Sequence, residues 1–174
     1  FKSINACKLP SGYVFNTVYL KNAPEIMFDS FYMKNEQDFY ELESTSDLPL
    51  VCDTLQQRIF DFHFDNDVSI LHPKSTYIER EVEIGQGTTI HGQVVLKKMS
   101  KIGKHCHIRE FTKITNSEIA NNVSIERADI EDSYIFESCK IMPYCYINSS
   151  IIESYAIVPP HTYVQERRVS PEDV

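Results

Sequence analysis

The sequence predicts a mostly β protein: a parallel β-helix of hexapeptide repeats with about five coils, preceded by a small α/β segment. Two regularities in the second half of the chain predict this fold. An aliphatic residue recurs every six positions, with four steps shortened to five, and a small side chain stands two positions before each aliphatic one. The aliphatic series is Ile78, Ile84, Ile90, Leu96, Ile102, Ile108, Ile114, Ile119, Ile125, Ile130, Ile135, Ile141, Ile147, Ile152, Val158 and Val164.

A period of six belongs neither to a helix, which repeats every 3.6 residues, nor to an alternating strand, which repeats every two. It fits three short faces that form one triangular coil, with the aliphatic residues stacked in columns inside. The small residue then lies where the chain turns between faces, because a larger one would collide with the next coil. An antiparallel sheet of alternating strands would not restrict side-chain size at one position of a six-residue repeat. The small partners are Thr76, Val82, Thr88, Val94, Ser100, Cys106, Thr112, Ser117, Val123, Ala128, Ser133, Cys139, Cys145, Ser150, Ala156 and Thr162.

Composition narrows the class of protein. The chain has 174 residues, of which 42% are hydrophobic, and a net charge of −8, which argues against general affinity for nucleic acid. No apolar run approaches the roughly twenty residues of a membrane span, so we expect none. Three of the five cysteines occupy the small turn position and the total is odd, which disfavours a disulfide framework. We therefore expect a cytoplasmic protein.

Residues 1–69 follow a different pattern. Residues 12–20 are rich in Tyr, Val and Phe and predict a strand, and Asn22 with Glu25 suggests the capping box of a helix. Asp53 is predicted to cap another helix, because Leu55, Ile59 and Phe62 recur at helical spacing. We predict an α/β remnant over 1–69, the β-helix over 70–166 and a tail over 167–174. Pro159 and Pro160 are expected to end strand pairing.

The junction between these parts resembles a known family. The segments VCDTLQQRIF (51–60) and ILHPKSTYIEREVEIGQGTTI (70–90) are similar to the junction of the bacterial bifunctional enzyme that acetylates glucosamine-1-phosphate and uridylates the product to UDP-N-acetylglucosamine. The resemblance continues through LKKMSKIGKHCHI (96–108) and ITNSEIANNVSIERADIEDSYI (114–135), and covers about residues 45 to 147. It implies a left-handed β-helix, and it implies that residues 1–69 correspond to the end of a nucleotidyltransferase domain.

The departures from that family shape the functional hypothesis. None of the five glycines forms a phosphate-binding loop like the one on which the family's uridyltransferase site depends. The family's acetyltransferase residues lie on later coils, so no catalytic or cofactor-binding residue can be transferred to this chain. We expect a non-catalytic assembly or regulatory protein of sugar-nucleotide or envelope-precursor metabolism. The alternatives are an acetyl-CoA-dependent hexapeptide acyltransferase that acts on an amino sugar, or a fragment of a longer such enzyme.

Histidines and charges suggest more specific sites. His91, His105 and His107 lie in neighbouring coils, where they could bind zinc or supply a general base for acyl transfer; exposed turn histidines are the alternative, and no metal site is assigned. We expect His63, His72 and His161 to be surface residues. A basic band spans residues 97–113, and acidic residues follow it. Either the band is simply solvated, or it meets an anionic ligand, a protein partner or another copy in a homotrimer formed through the β-helix. The band's cations are Lys97, Lys98, Lys101, Lys104, Arg109 and Lys113.

Overall fold

A computed structural model describes residues 48–173, and the strand and first helix predicted within residues 1–47 lie outside this range. The described part contains one α-helix, α1 (Leu48–Asp65), followed by short strands that form three parallel sheets. The strands follow one another around a prism, so that each sheet receives every third strand. Three successive strands make one coil. This is the left-handed parallel β-helix that was expected, with six coils.

The three sheets share the same construction. The first sheet contains β1 (Ser69–Ile70), β4 (Thr89–Ile90), β7 (His107–Ile108), β10 (Ser124–Ile125), β13 (Lys140–Ile141) and β16 (Ile157–Val158). The second contains β2 (Tyr77–Ile78), β5 (Val95–Lys97), β8 (Lys113–Thr115), β11 (Asp129–Glu131), β14 (Tyr146–Asn148) and β17 (Tyr163–Gln165). The third contains β3 (Glu83–Ile84), β6 (Lys101–Ile102), β9 (Glu118–Ile119), β12 (Tyr134–Ile135), β15 (Ile151–Ile152) and β18 (Arg168–Val169). We call the turns from first to second, second to third and third to first sheet the first, second and third corners.

The register brings like residues together. Ile130 of β11, for example, pairs with Ile114 below it and with Ile147 above it. All three side chains are fully buried, as are their equivalents on the other two sheets. Each aliphatic column therefore runs the length of the prism and shields its neighbours from water, which is the main favourable term in folding.

Two strands were missed by the sequence pattern. Ile70 precedes Ile78 by eight residues instead of six, because a 3₁₀ turn at Pro73–Ser75 lengthens the first corner of the first coil. Val169 is preceded by Arg167 rather than a small residue, which is tolerated because no described coil lies above it. The expectation that Pro159 and Pro160 end strand pairing is wrong, since β17 and β18 continue the second and third sheets.

Helix α1 differs from its prediction in start and orientation. It begins at Leu48, so Asp53 lies inside the helix and does not cap it. Leu55 and Phe62 of the predicted core face are exposed, whereas Phe60 and His63 are buried. The buried face lies one position further along the helix, where Phe60 joins the core and the Gln56 side chain donates a hydrogen bond to the carbonyl of Ile78 on β2, at 2.9 Å. His63 is therefore not the surface residue that was expected.

Backbone conformation marks almost every corner. A turn residue adopts a positive φ, usually three positions before the aliphatic residue, and fifteen of these residues are not glycine. Side chains at equivalent turn positions consequently stack along the edges of the prism, one from each coil. These edge columns include acidic, basic, aromatic and histidine side chains.

Candidate functional site

The first corner carries a histidine and a carboxylate in contact. His91 follows β4 and Glu110 follows β7, one coil higher, and the Nδ1 of His91 lies 3.0 Å from Oε1 of Glu110. A carboxylate can only accept, so Nδ1 is the donor in this contact, and in the neutral imidazole Nε2 is then the nitrogen that can accept a proton. The side chain of His91 is 23% exposed and that of Glu110 is 43% exposed. The pair is therefore an oriented base that solvent or a ligand can reach.

The charge state of Glu110 supports this arrangement. A hydrogen bond from its own backbone N–H, together with the smaller effect of the bond to His91, lowers the pKa of Glu110 below its usual range. The side chain therefore remains a carboxylate at neutral pH. A carboxylate that holds one nitrogen of an imidazole is the usual means of fixing the tautomer of a catalytic histidine.

A ladder of side chains continues up the same corner. Phe111, Arg127, Tyr144 and His161 occupy the positive-φ position in successive coils. The guanidinium carbon of Arg127 lies 5.7 Å from the ring centroid of Phe111, and Nη1 donates to the hydroxyl of Tyr144 at 3.2 Å. The rings of Tyr144 and His161 are stacked at 5.0 Å. The ladder stiffens this edge through cation–π and stacking contacts.

The three histidines considered for zinc do not come together. His107 points outward from β7 on the first sheet, and His105 lies at the third corner, where its ring covers Gly87. A Cβ added to Gly87 would lie 2.5 Å from Nδ1 of His105, so the glycine makes room for the ring. Within residues 48–173 no three His, Cys, Asp or Glu side chains are grouped as metal ligands would be.

The basic band surrounds the prism instead of forming one patch, because residues 97–113 make one full coil. Three of its cations pair with carboxylates of adjacent coils: Lys101 with Glu83 at 3.9 Å, Arg109 with Glu126 at 3.2 Å and Lys113 with Asp129 at 3.4 Å.

The remaining cations of the band differ from these three. The Nζ of Lys97 lies 5.9 Å from the ring centroid of Tyr77. In the described chain no ion pair involves Lys98 or Lys104. Much of the band's charge is therefore used to connect coils of the same chain.

The buried cysteines also connect coils. The thiols of Cys106, Cys139 and Cys145 donate to the carbonyls of Ala120, Glu153 and Pro159, one coil above, at 3.1, 2.9 and 3.0 Å. Burial raises the pKa of all three thiols, which keeps them protonated and unreactive. Their role is structural, whereas Cys52 is exposed on α1 and Cys7 lies outside the described residues.

These features define the chain as a hexapeptide-repeat parallel β-helix, and curated sequences similar to it are bifunctional GlmU proteins. It resembles the bifunctional protein GlmU of Alkaliphilus metalliredigens, with 32% identity over 117 residues, which is 67% of this chain and 26% of the relative. It likewise resembles GlmU of Clostridioides difficile, with 33% identity over 135 residues, 74% of this chain and 29% of the relative. The chain thus spans less than a third of the length of these relatives. No family model matches it.

Solved acetyltransferase structures also align with this chain. A perosamine N-acetyltransferase mutant from Caulobacter crescentus aligns at 12% identity with a TM-score of 0.36, covering 68% of this chain and 61% of the other. A putative acetyltransferase from Bacillus cereus aligns at 14% identity with a TM-score of 0.38, covering 57% of this chain and 75% of the other. Likeness at this level carries no functional inference. In the described part of the chain no helix has the length and apolarity that a bilayer crossing requires.

Proposed function

We propose that this chain is an assembly unit of a GlmU-like protein in sugar-nucleotide metabolism, in which the β-helix brings identical copies together. The observation that carries the proposal is the distribution of exposed apolar side chains on the prism. Ten large apolar side chains are exposed on the described prism, six of them in its three upper coils and four in its three lower coils. The six are Tyr134, Phe136, Tyr144, Tyr155, Ile157 and Tyr163, and the four are Leu71, Tyr77, Met99 and Phe111.

The outward charges are used differently from the exposed apolar side chains. Charges of adjacent coils pair along the prism, as Arg109 does with Glu126, and thereby satisfy one another within one chain. The exposed side chains leave apolar area in water, which costs free energy unless another surface covers it. A rigid prism that exposes apolar side chains along its length is suited to holding copies in register.

Light scattering on the 174-residue chain tests this proposal. We expect a mass that is a multiple of 20.2 kDa, with a trimer as the specific expectation, and a mass that falls on dilution. A mass of one chain at every concentration up to the solubility limit would overturn the assembly role.

A second candidate function is acyl transfer from acetyl-CoA to the amine of an amino sugar, and the contact between His91 and Glu110 favours it. In this reaction Nε2 of His91 would take a proton as the amine attacks the thioester carbonyl. A C–N bond forms, the C–S bond breaks, and the thiolate of coenzyme A leaves and is protonated. Glu110 would hold the imidazole in the required tautomer and stabilise the imidazolium.

Release of free thiol from acetyl-CoA in the presence of glucosamine-1-phosphate measures this activity. We expect His91→Gln to remove it and Glu110→Gln to lower it by about 10²-fold or more. His107→Gln serves as the matched control, because His107 also faces outward from the prism but contacts no carboxylate. Absence of thiol release from the unaltered chain, or equal rates for all variants, would exclude this candidate.

A further inference from the structure

The first corner of the first coil is longer than the first corners above it. Ile78 follows Ile70 by eight positions, whereas the corresponding aliphatic residues of the other coils follow one another by five or six. The added residues form the 3₁₀ turn Pro73–Ser75. We call residues 72–76 the corner shelf, because they lie at this corner one coil below His91.

The shelf is hydrogen-bonded to the backbone that carries His91. The hydroxyl of Thr76 donates to the carbonyl of His91 at 3.1 Å, and Oγ of Ser75 accepts a hydrogen bond from the backbone N–H of Gln93 at 3.2 Å. The Thr76 hydroxyl also lies 3.0 Å from the carbonyl of His72, so its single proton is shared between the shelf and the coil above. Two bonds thus fix the turn that begins at His91.

Close packing at Gly92 completes this contact. A Cβ added to Gly92 would lie 3.1 Å from the Cβ of His72 and 3.1 Å from Oγ of Ser75. Such distances are tighter than ordinary van der Waals contacts, so the shelf and the turn above it touch without a gap. The backbone beside Gly92 therefore has little room to move toward the shelf, and the two hydrogen bonds oppose its movement away.

The direction of the His91 ring depends on this backbone. Among the described residues the only side chain hydrogen-bonded to the ring is that of Glu110, one coil higher, and both side chains are partly exposed. Hydrogen bonds weaken steeply when their distance or angle departs from the optimum. A small displacement of the His91 backbone should therefore weaken the 3.0 Å contact between Nδ1 and Glu110.

The hydroxyl of Thr76 is not needed for packing at its position. Val94 occupies the equivalent place one coil higher and is fully buried, so an aliphatic side chain of the same shape fits this corner. Thr112 occupies it two coils higher, and its hydroxyl has no hydrogen-bond partner among residues 48–173. At the described first corners only Thr76 and Cys145 bond through the side chain to a carbonyl of the coil above. Only the bond from Thr76 reaches a residue of the candidate site.

We propose that Thr76 is a positioning residue for His91. Its hydroxyl fixes the carbonyl of His91 and thereby sets the height and direction of the ring, so that Nδ1 bonds to Glu110 and the neutral ring carries its proton on Nδ1. Thr76 touches no substrate in this role and acts only through His91. The inference rests on the second candidate function, in which Nε2 of His91 is the base, and it identifies what orients that base.

Nitrogen-15 NMR of the imidazole in the 174-residue chain tests this role directly, and His91→Gln assigns the signal by its loss. At about pH 8.5, where histidine side chains are neutral, the shifts of the two ring nitrogens report which one carries the proton. We expect Nδ1 to carry it in the unaltered chain, and Thr76→Val to shift the ratio of the two tautomers toward Nε2 protonation by about threefold or more. Thr76→Ser should keep the unaltered ratio, because it retains the hydroxyl.

Thr112→Val is the matched control, because it removes a buried hydroxyl at the same corner that bonds to nothing in the described chain. It should leave the tautomer ratio unchanged. Circular dichroism confirms folding, and Thr76→Ala repeats the test with a side chain that Ala128 already places at this corner. An unchanged ratio in Thr76→Val and Thr76→Ala, or a proton on Nε2 in the unaltered chain, would overturn the positioning role.

Thiol release separates this inference from the function on which it rests. With acetyl-CoA and glucosamine-1-phosphate we expect Thr76→Val to lower kcat by about tenfold and to leave KM within about twofold, because Thr76 does not contact the substrate. Thr112→Val should change neither value. A tautomer shift in Thr76→Val without thiol release from the unaltered chain would exclude acyl transfer while the positioning of His91 stands. Thiol release that Thr76→Val leaves unchanged would overturn the positioning role while acyl transfer stands.

Discussion

The hydroxyl oxygen of Ser133 accepts a hydrogen bond from the backbone N–H of Ser150, one coil above, at 3.1 Å. The same hydroxyl donates to the carbonyl of Glu131 at 2.6 Å, so it connects two turns of the chain. Ser100, Ser117 and Ser150 make the same two contacts at the second corner of their own coils. A column of hydroxyls thus satisfies buried backbone groups along one inner edge of the prism.

Replacing Ser133 with alanine should therefore destabilise the chain by about 1–3 kcal/mol, because the buried N–H of Ser150 loses its acceptor. Urea unfolding followed by circular dichroism measures the loss. Ser154→Ala is the control, since Ser154 is half-exposed, makes no hydrogen bond through its side chain and should change stability by less than about 0.5 kcal/mol. Equal effects of the two substitutions would contradict the role assigned to the column.

The stacked aliphatic columns give a graded prediction at Ile130, which is fully buried between Ile114 and Ile147. Ile130→Val should cost about 0.5–1.5 kcal/mol and Ile130→Ala about 2–5 kcal/mol, because the neighbouring coils cannot close on the cavity without breaking their pairing. Urea unfolding again measures both values. Similar small losses for the two variants would show that the coils can collapse.

Buried His63 predicts a dependence of stability on pH. Burial lowers the pKa of His63 below its usual 6.5, and its Nδ1 has no hydrogen-bond partner among residues 48–173. Below about pH 6.5 the unfolded chain binds a proton that the folded chain does not, so stability should fall as pH drops from 6.5 through the lowered pKa. The slope reaches at most about 1.4 kcal/mol per pH unit for this group.

Unfolding free energies measured between neutral and mildly acidic pH test that slope. His63→Leu should flatten it, because leucine removes the titrating group and keeps an apolar side chain at the site. His72→Gln should leave the slope unchanged, since His72 is exposed at the start of the 3₁₀ turn Pro73–Ser75. An unaltered slope in His63→Leu would locate the pH dependence elsewhere.

The ion pairs between coils should contribute little individually. Arg109 and Glu126 are both partly exposed, so a double-mutant cycle of alanine substitutions should give a coupling free energy of about 0.2–1 kcal/mol, and less at high salt. Lys104 and Glu126, which no ion pair joins, form the control cycle. A coupling several times larger would show that the charges act as one network around the prism.

The sequence predicted the β-helix because the packing rule that produces this fold is local and recurs in every coil. Every coil must place an aliphatic residue inside and a small residue at the turn, so the rule appears in the sequence once for each face. The rule failed at two places where the turn is not confined in the usual way. The 3₁₀ turn before Thr76 lengthens the first coil, and no described coil is stacked above Arg167. Helix α1 was misjudged because its buried face depends on tertiary contacts, namely the packing of Phe60 into the core and the bond from Gln56 to Ile78.

The contacts of the candidate sites depend on how far apart two residues lie around the prism, and the sequence does not show this distance directly. His91, His105 and His107 are close in the chain but lie on different edges or faces, whereas His91 and Glu110, nineteen positions apart, are in contact. A separation near one coil was the available signal, and it also relates Lys113 to Asp129 and Tyr144 to His161. The sequence by itself determined the β-helix, since steric exclusion at each turn recurs in every coil. Only the tertiary structure decided which charges, rings and hydroxyls meet. Those contacts join neighbouring coils, and they depend on the height of each side chain on the prism and on the direction in which it points.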